Sequence, residues 1–271
     1  MTPAERDQLR PYPYITGGFT YEDDTGFSSY DALQFKLQHR FAHGFATVLS
    51  YTWSKTIDTS SGIALAENGN GGGAGVQDFF DIDSNKSVAS YDIPHILTWA
   101  GVWELPAGPG KKWLTNGLAS TILGNWQLNW NALVRSGAPF TPFVSGDPAN
   151  VGVSNRTRPN LVGNPELDNP TVKRWFNVSA FAVPVNSFGD AGRNIVRGPG
   201  FWNVDLGLQR NFKLGAERRL ELRFDAYNVF NHINRDLPSN AFVNIQDARA
   251  GEITGIAGYT RTMQVGLRVA Y

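Results

Sequence analysis

Residues 259–271, YTRTMQVGLRVAY, limit what this chain can fold into more than any other stretch. Met263, Val265, Leu267, Val269 and Tyr271 fall on one face of an extended chain. Gln264, Gly266, Arg268 and Ala270 fall on the other. Period-two alternation held to the last residue specifies a β-strand. About eleven residues of tilted strand suffice to cross a bilayer. A soluble chain usually leaves its terminus frayed and polar. This one ends on Tyr271, whose apolar ring and polar tip suit a membrane interface. The competing reading of this stretch alone is a buried C-terminal strand of a soluble sandwich.

The same alternation recurs upstream. Residues 29–41 place Leu33, Phe35, Leu37 and Phe41 opposite Gln34, Lys36, Gln38 and Arg40. Ala42-His43-Gly44 then predicts a tight turn, and 45–57 return with Phe45, Leu49, Tyr51 and Trp53 on one face. Further strands are predicted at 93–105, 121–136, 201–213 and 219–231, before the final one. Their apolar faces include Trp99 and Trp103; Trp126, Leu128 and Trp130; Val204, Leu206 and Leu208; and Leu220, Leu222 and Phe224. On the sixth of these strands Leu222 is expected to face lipid and Arg223 the opposite side. The connections at 42–44, about 106–120 and 214–218 are the shorter set. Those at 58–92, 137–200 and 232–258 are long, and the two sets alternate without exception. Transmembrane β-barrels alternate short periplasmic turns with long extracellular loops. A soluble sandwich has no reason to sort loop length by end, and a structureless loop of this size is unusual in a compact domain.

Composition supports a barrel and removes other classes. The formal net charge is zero, so there is no basic footprint for nucleic acid. Charged residues are 18% and aromatics 13% of the chain. The longest apolar run, near Ile96–Trp103, is far too short for a spanning helix. There is no cysteine, hence no disulfide framework and no thiolate site. The opening segment, MTPAERDQLRPYPYITGG, does not have the charged-then-apolar order of a signal peptide. That leads to the expectation that 1–271 is one portion of a larger protein, without its signal peptide or plug.

No candidate site rises above the structural alternative. Asp81, Asp83 and Asn85 begin a calcium-loop spacing, but Lys86 occupies the position that needs Gly, so a polar loop is expected. The glycine run 69–75 is followed by neither a Lys-Ser/Thr pair nor a helix, so it is not a phosphate cradle. His39, His43, His95 and His232 lack metal-ligand spacing. Asn85, Asn155 and Asn177 each begin a glycosylation sequon. Trp175, Phe176, Phe181 and Phe188 crowd the longest loop, either as loop packing or as a ligand-contacting cap. Arg219, Glu221, Arg223 and Asp225 alternate in sign along one strand face, as a self-compensating ladder or a contact surface for a plug. No catalytic, cofactor-binding or metal-binding residue is expected, no substrate-binding residue stands out, and the expectation is of a protein that is not an enzyme.

Several stretches together carry a family likeness. They are SSYDALQFKLQHRFAHGFATVLSYTWSKTIDTSSG, YDIPHILTWAGVWELPAGPGKKW, GNWQLNWNALVRSGAPFTP, WFNVSAFAVPVNSFGDAGRNIVRGPGFWNVDLGLQRNFKL and RLELRFDAYNVFNHIN. In this order they resemble the barrel of Oar-like TonB-dependent receptors, from about Leu9 to Tyr271. The terminal aromatic strand likewise resembles the C-terminal signal of outer-membrane barrels. The resemblance implies an all-β fold, an antiparallel transmembrane barrel segment supplying about seven C-terminal strands of a barrel of roughly 22. It implies a place in the outer membrane of a Gram-negative-type bacterium and energy-coupled uptake of a large substrate. The implied partners are outer-membrane lipid, the plug and N-terminal strands of the same receptor and, through the plug, the TonB system. The alternative is a secreted soluble β-sandwich that binds carbohydrate.

Overall fold

The computed structural model describes residues 5, 8–9, 12–14, 24–61, 76–78, 80–151, 157–213 and 218–271. The glycine run, the sequon at Asn155 and most of the 214–218 turn lie outside them. In chain order the strands are β1 (Ser28–Ala42), β2 (Phe45–Asp58), β3 (Ser87–Val88), β4 (His95–Glu104), β5 (Trp126–Arg135), β6 (Pro139–Phe140), β7 (Asn160–Leu161), β8 (Phe181–Ala182), β9 (Val196–Arg197), β10 (Phe201–Lys213), β11 (Arg219–Tyr227) and β12 (Thr262–Ala270).

The seven long strands form one antiparallel sheet in the order β1-β2-β4-β5-β10-β11-β12, with β3 paired to β2. Each long strand lies beside the next long strand in sequence, so the sheet is an up-and-down meander with β1 and β12 as its edges. Two small pairs, β6–β9 and β7–β8, stand apart from it. This is not a sandwich. Among the described residues, the buried apolar side chains include none from the seven long strands. They cluster instead in the long connections, around Phe140, Phe143, Phe176, Phe181 and Val243. A sandwich would bury one face of its main sheet.

Turn chemistry sets the register of the first hairpin. His43 and Gly44 have φ of 52° and 79°, the double positive φ of a two-residue type I′ hairpin. Pairing then runs from Ala42↔Phe45 to Ser28↔Asp58, with a shift between His39 and Ala42.

Two predicted boundaries are corrected. The fourth predicted strand, 121–136, begins only at Trp126, because Thr121–Leu123 close the helix Gly117–Leu123. Gly124 and Asn125 break the extended run. Asn125 takes φ 59°, and a Cβ on Gly124 would lie 2.4 Å from the Gly108 Cα. The sixth, 219–231, ends at Tyr227, because Asn228 and Asn231 adopt φ of 50° and 52°. Asn228 fixes that corner by donating to the carbonyls of His232 (2.8 Å) and Tyr259 (3.0 Å).

One glycine shapes the sheet surface. Gly101 on β4 pairs with Trp130 on β5, and a Cβ there would sit 2.1 Å from the indole ring. The ring lies across the bare backbone, between Trp99 (5.3 Å) and Phe45 (5.9 Å). Gly101→Val should expel the indole and destabilise the sheet by about 1–3 kcal/mol, the usual cost of overpacking. Denaturant unfolding in lipid measures it; an unchanged midpoint contradicts the packing described.

Candidate functional site: a two-faced wall and its cap

The sheet separates two environments row by row. Phe45, Trp103, Leu128, Leu208, Phe224 and Val265 are successive cross-strand partners from β2 to β12. Gly101, Trp130, Leu206, Ala226 and Met263 form a second such row. These side chains lie outside any core; Val265 is 68% exposed. Two apolar rows that cross the sheet to β12 are unstable in water and stable against hydrocarbon.

One residue along each strand, the character reverses. Glu104, Gln127, Gln209 and Arg223 are cross-strand partners on the opposite face, as are Asn129, Gly207, Asp225 and Gln264. These polar groups bond to each other. Gln209 donates to Gln127 (2.9 Å), and Asp225 accepts from Arg223 Nε (2.9 Å) and from Gln264 (3.0 Å). Asp205 accepts from Asn203 (2.8 Å) and the Asn228 backbone (2.8 Å). A Cβ on Gly207 would meet the Asp225 carboxylate at 2.9 Å, so the glycine makes room for that acid. Leu222 and Arg223 take the expected opposite faces, with Leu222 paired to Leu267 on one side and to Arg210 on the other. Within the sign-alternating ladder, Arg223 and Asp225 form a direct pair.

At one end of the sheet the long connections fold into a cap. Phe140 and Phe181 both pack edge-on to the fully buried Phe176. Trp175 packs beside them and donates from its indole to the Arg197 carbonyl (2.7 Å). Phe188 is only half buried and stands outside this cluster. Phe143 and Val243–Ile245 exchange backbone bonds, joining 137–200 to the connection before β12. The connection after β2 is tied in by buried charge. Arg193 forms an ion pair with Asp58, each side chain 1% exposed, and donates to Ser61 (2.9 Å) and the Asn85 carbonyl (3.1 Å). Arg158 donates to Asn85 (2.6 Å) and the Ser84 carbonyl (3.2 Å). Arg197 bonds Asp92 at 2.5 Å, while the Thr56 amide donates to the same carboxylate. On the cap surface the Arg249 guanidinium donates to Glu252 and holds that carboxyl below its ordinary range. Sequence reading placed these segments in long loops and missed the arginines, whose acidic or amide partners lie 73 to 135 residues away.

The residues singled out by sequence do not converge. Asp81 accepts from the Ser84 amide to start a single 3₁₀ turn at Ile82–Asn85, and the side chain of Asn85 is engaged by Arg158. His95 bonds Tyr51 (2.8 Å), His232 stacks on Trp202 (4.2 Å), His39 lies near Phe45 (5.5 Å) and His43 sits in the hairpin turn. Asn177 donates to the Asn164 carbonyl (2.9 Å) in the cap.

A single antiparallel sheet with an apolar outer face, a hydrogen-bonded polar inner face and all long connections at one end is the wall of a transmembrane β-barrel. The family model described as outer membrane beta barrel domain matches residues 1–264, and the chain belongs to that family. It is therefore an all-β protein of the outer-membrane type, its strands antiparallel and the barrel unclosed. No match was found among curated proteins or among solved structures.

Proposed function

We propose that this chain forms part of the wall and the extracellular roof of a TonB-dependent receptor of the Oar-like kind, in the outer membrane of a Gram-negative-type bacterium. The supporting observation is the sheet itself: seven long strands with two open edges, β1 and β12. Unpaired edge N–H and C=O groups cost several kcal/mol each in hydrocarbon. The edges call for further strands of the same receptor. A barrel wide enough to need them has a lumen that a plug can fill, and the polar inner face offers Arg223, Asp225 and Gln209 to such a plug or to water. In this reading the chain performs no catalysis. It shapes a path for a large substrate, while energy arrives through the plug from the TonB system.

The test is the native gene product. Antibodies against the cap should detect, in outer-membrane fractions, a polypeptide far larger than 29.8 kDa whose tryptic peptides include a plug. It should cross-link to TonB in energised cells. A membrane-inserted 29.8 kDa species that never cross-links to TonB overturns the proposal.

A further inference from the structure

The connection between β4 and β5 lies at the end of the sheet opposite the cap, and it is folded. Trp113 donates from its backbone to the Pro106 carbonyl, and Asn125 to that of Ala107, both at 2.8 Å. Between them lies the helix Gly117–Leu123. Its position is fixed by Arg210 of β10, a residue on the apolar face of the wall. The cross-strand partners of Arg210 are Trp126 and Leu222, and Leu222 pairs on to Leu267, so the guanidinium stands in an otherwise apolar row. The guanidinium donates to the carbonyls of Thr121 and Ile122, so the last turn of the helix is held against the outer face. The same cation lies over Phe212 (4.2 Å) and Trp126 (5.9 Å), and the Trp126 indole reaches the Ile122 carbonyl at 3.4 Å.

The helix is amphipathic in the reverse sense to one on a soluble protein. Ser120 is buried, while Leu118 is 81% exposed and Ile122 and Leu123 are exposed as well. Leu118 and Ile122 are four residues apart and share a face. Trp113 and Leu114, also exposed, precede the helix. The segment 106–125 contains Lys111 and Lys112 and no acidic residue. Lys111 is paired with Glu104 (2.7 Å), and the Lys112 ammonium lies 6.0 Å from the Trp113 ring centre.

We propose that this connection is an in-plane membrane anchor, with Leu118, Ile122 and Leu123 immersed in the phospholipid of the leaflet on the short-connection side. The inference rests on the outer-membrane reading and adds a site to it. Three observations select phospholipid as the occupant. The apolar helix surface continues the apolar rows of the wall, which already meet lipid. A lysine and a tryptophan, Lys112 and Trp113, precede it, and both residue types favour the headgroup level. The segment carries no acidic residue, and with Lys111 paired to Glu104 its remaining cation, Lys112, matches a lipid phosphate rather than a basic protein surface.

Residues 1–271 contain no cysteine, so with any cysteine elsewhere in the receptor replaced, single cysteines here carry nitroxide labels cleanly. The native outer-membrane form is reconstituted in phospholipid vesicles with Leu118→Cys, Val265→Cys or Val185→Cys, the last on the exposed cap surface. Collision with oxygen, which partitions into lipid, is compared with collision with a water-soluble nickel chelate. The expected result is oxygen-dominated relaxation at 118 and 265 and chelate-dominated relaxation at 185. Oxygen dominance at 265 with chelate dominance at 118 overturns the anchor and leaves the membrane wall intact. A label at 118 shielded from both reagents overturns it too, in favour of a protein neighbour. Chelate dominance at 265 means that the outer-membrane reading itself has failed, and the anchor with it.

Discussion

Replacing Arg193 with Met is expected to loosen the cap by about 3–5 kcal/mol, the cost of breaking a buried ion pair by removing one partner. Asp58 is left with Ser61 as its hydroxyl donor (2.7 Å) and no facing cation, while 1% exposed to water. The Asn85 carbonyl loses a donor as well. Methionine fills most of the volume, so the loss reports on charge rather than on a cavity. Amide exchange within 158–197 should accelerate, while the β10–β11 amides of the wall keep their protection. Asp58→Asn in the same background should recover part of the loss, because a neutral amide is cheaper to bury than an unpaired carboxylate. Unchanged exchange in the single variant would show that the cap is held by its aromatic cluster alone.

Phe224→Arg should be the most damaging single change in the wall. Phe224 lies between Leu208 and Val265 in an apolar row, with its ring 6.0 Å from that of Trp126. A guanidinium there meets hydrocarbon, which costs about 2–4 kcal/mol near the midplane of a barrel strand. One residue earlier, Arg223→Gln should cost about 1 kcal/mol or less, since the Arg223 side chain is half exposed and Gln264 still donates to Asp225. Unfolding in bilayers, each variant against wild type, gives both numbers. If Arg223→Gln proves the worse, the two faces of β11 are reversed. The error then passes to β10 and β12 through their shared register.

The wall was legible because two different solvents act on alternate residues. Leu206 and Leu208 against Asp205 and Gln209 cannot be satisfied by any helix, and the β10 limits read from sequence, 201–213, are those observed. The errors occurred where parity continued by accident. Ile122 matches the even-numbered apolar set of β5 and Phe230 that of β11, yet each lies beyond a positive-φ asparagine that ends the strand. Asparagine beside glycine at 124–125, and twice within 228–231, was the available signal. The cap gave no such signal. Phe140, Phe176 and Val243 obey no common period, and what unites them is proximity across long stretches of chain. Isolated arginines such as Arg193 and Arg158 read as surface charge until their buried partners are known.

The ties that weld the cap also set when it can form. Arg193 reaches back 135 residues to Asp58, and Phe143 reaches forward to the segment that follows β11. Contacts of such sequence separation bring little stabilisation until the intervening strands have docked, and they form slowly for that reason. The last of these contacts therefore awaits a wall complete through β11. Cap closure becomes a late kinetic step that reports whether β2, β5, β10 and β11 have reached their proper neighbours. A strand paired one register out would hold Asp58 and Arg193 apart, and the cap of that molecule would stay unclosed, its long segments open to proteolysis.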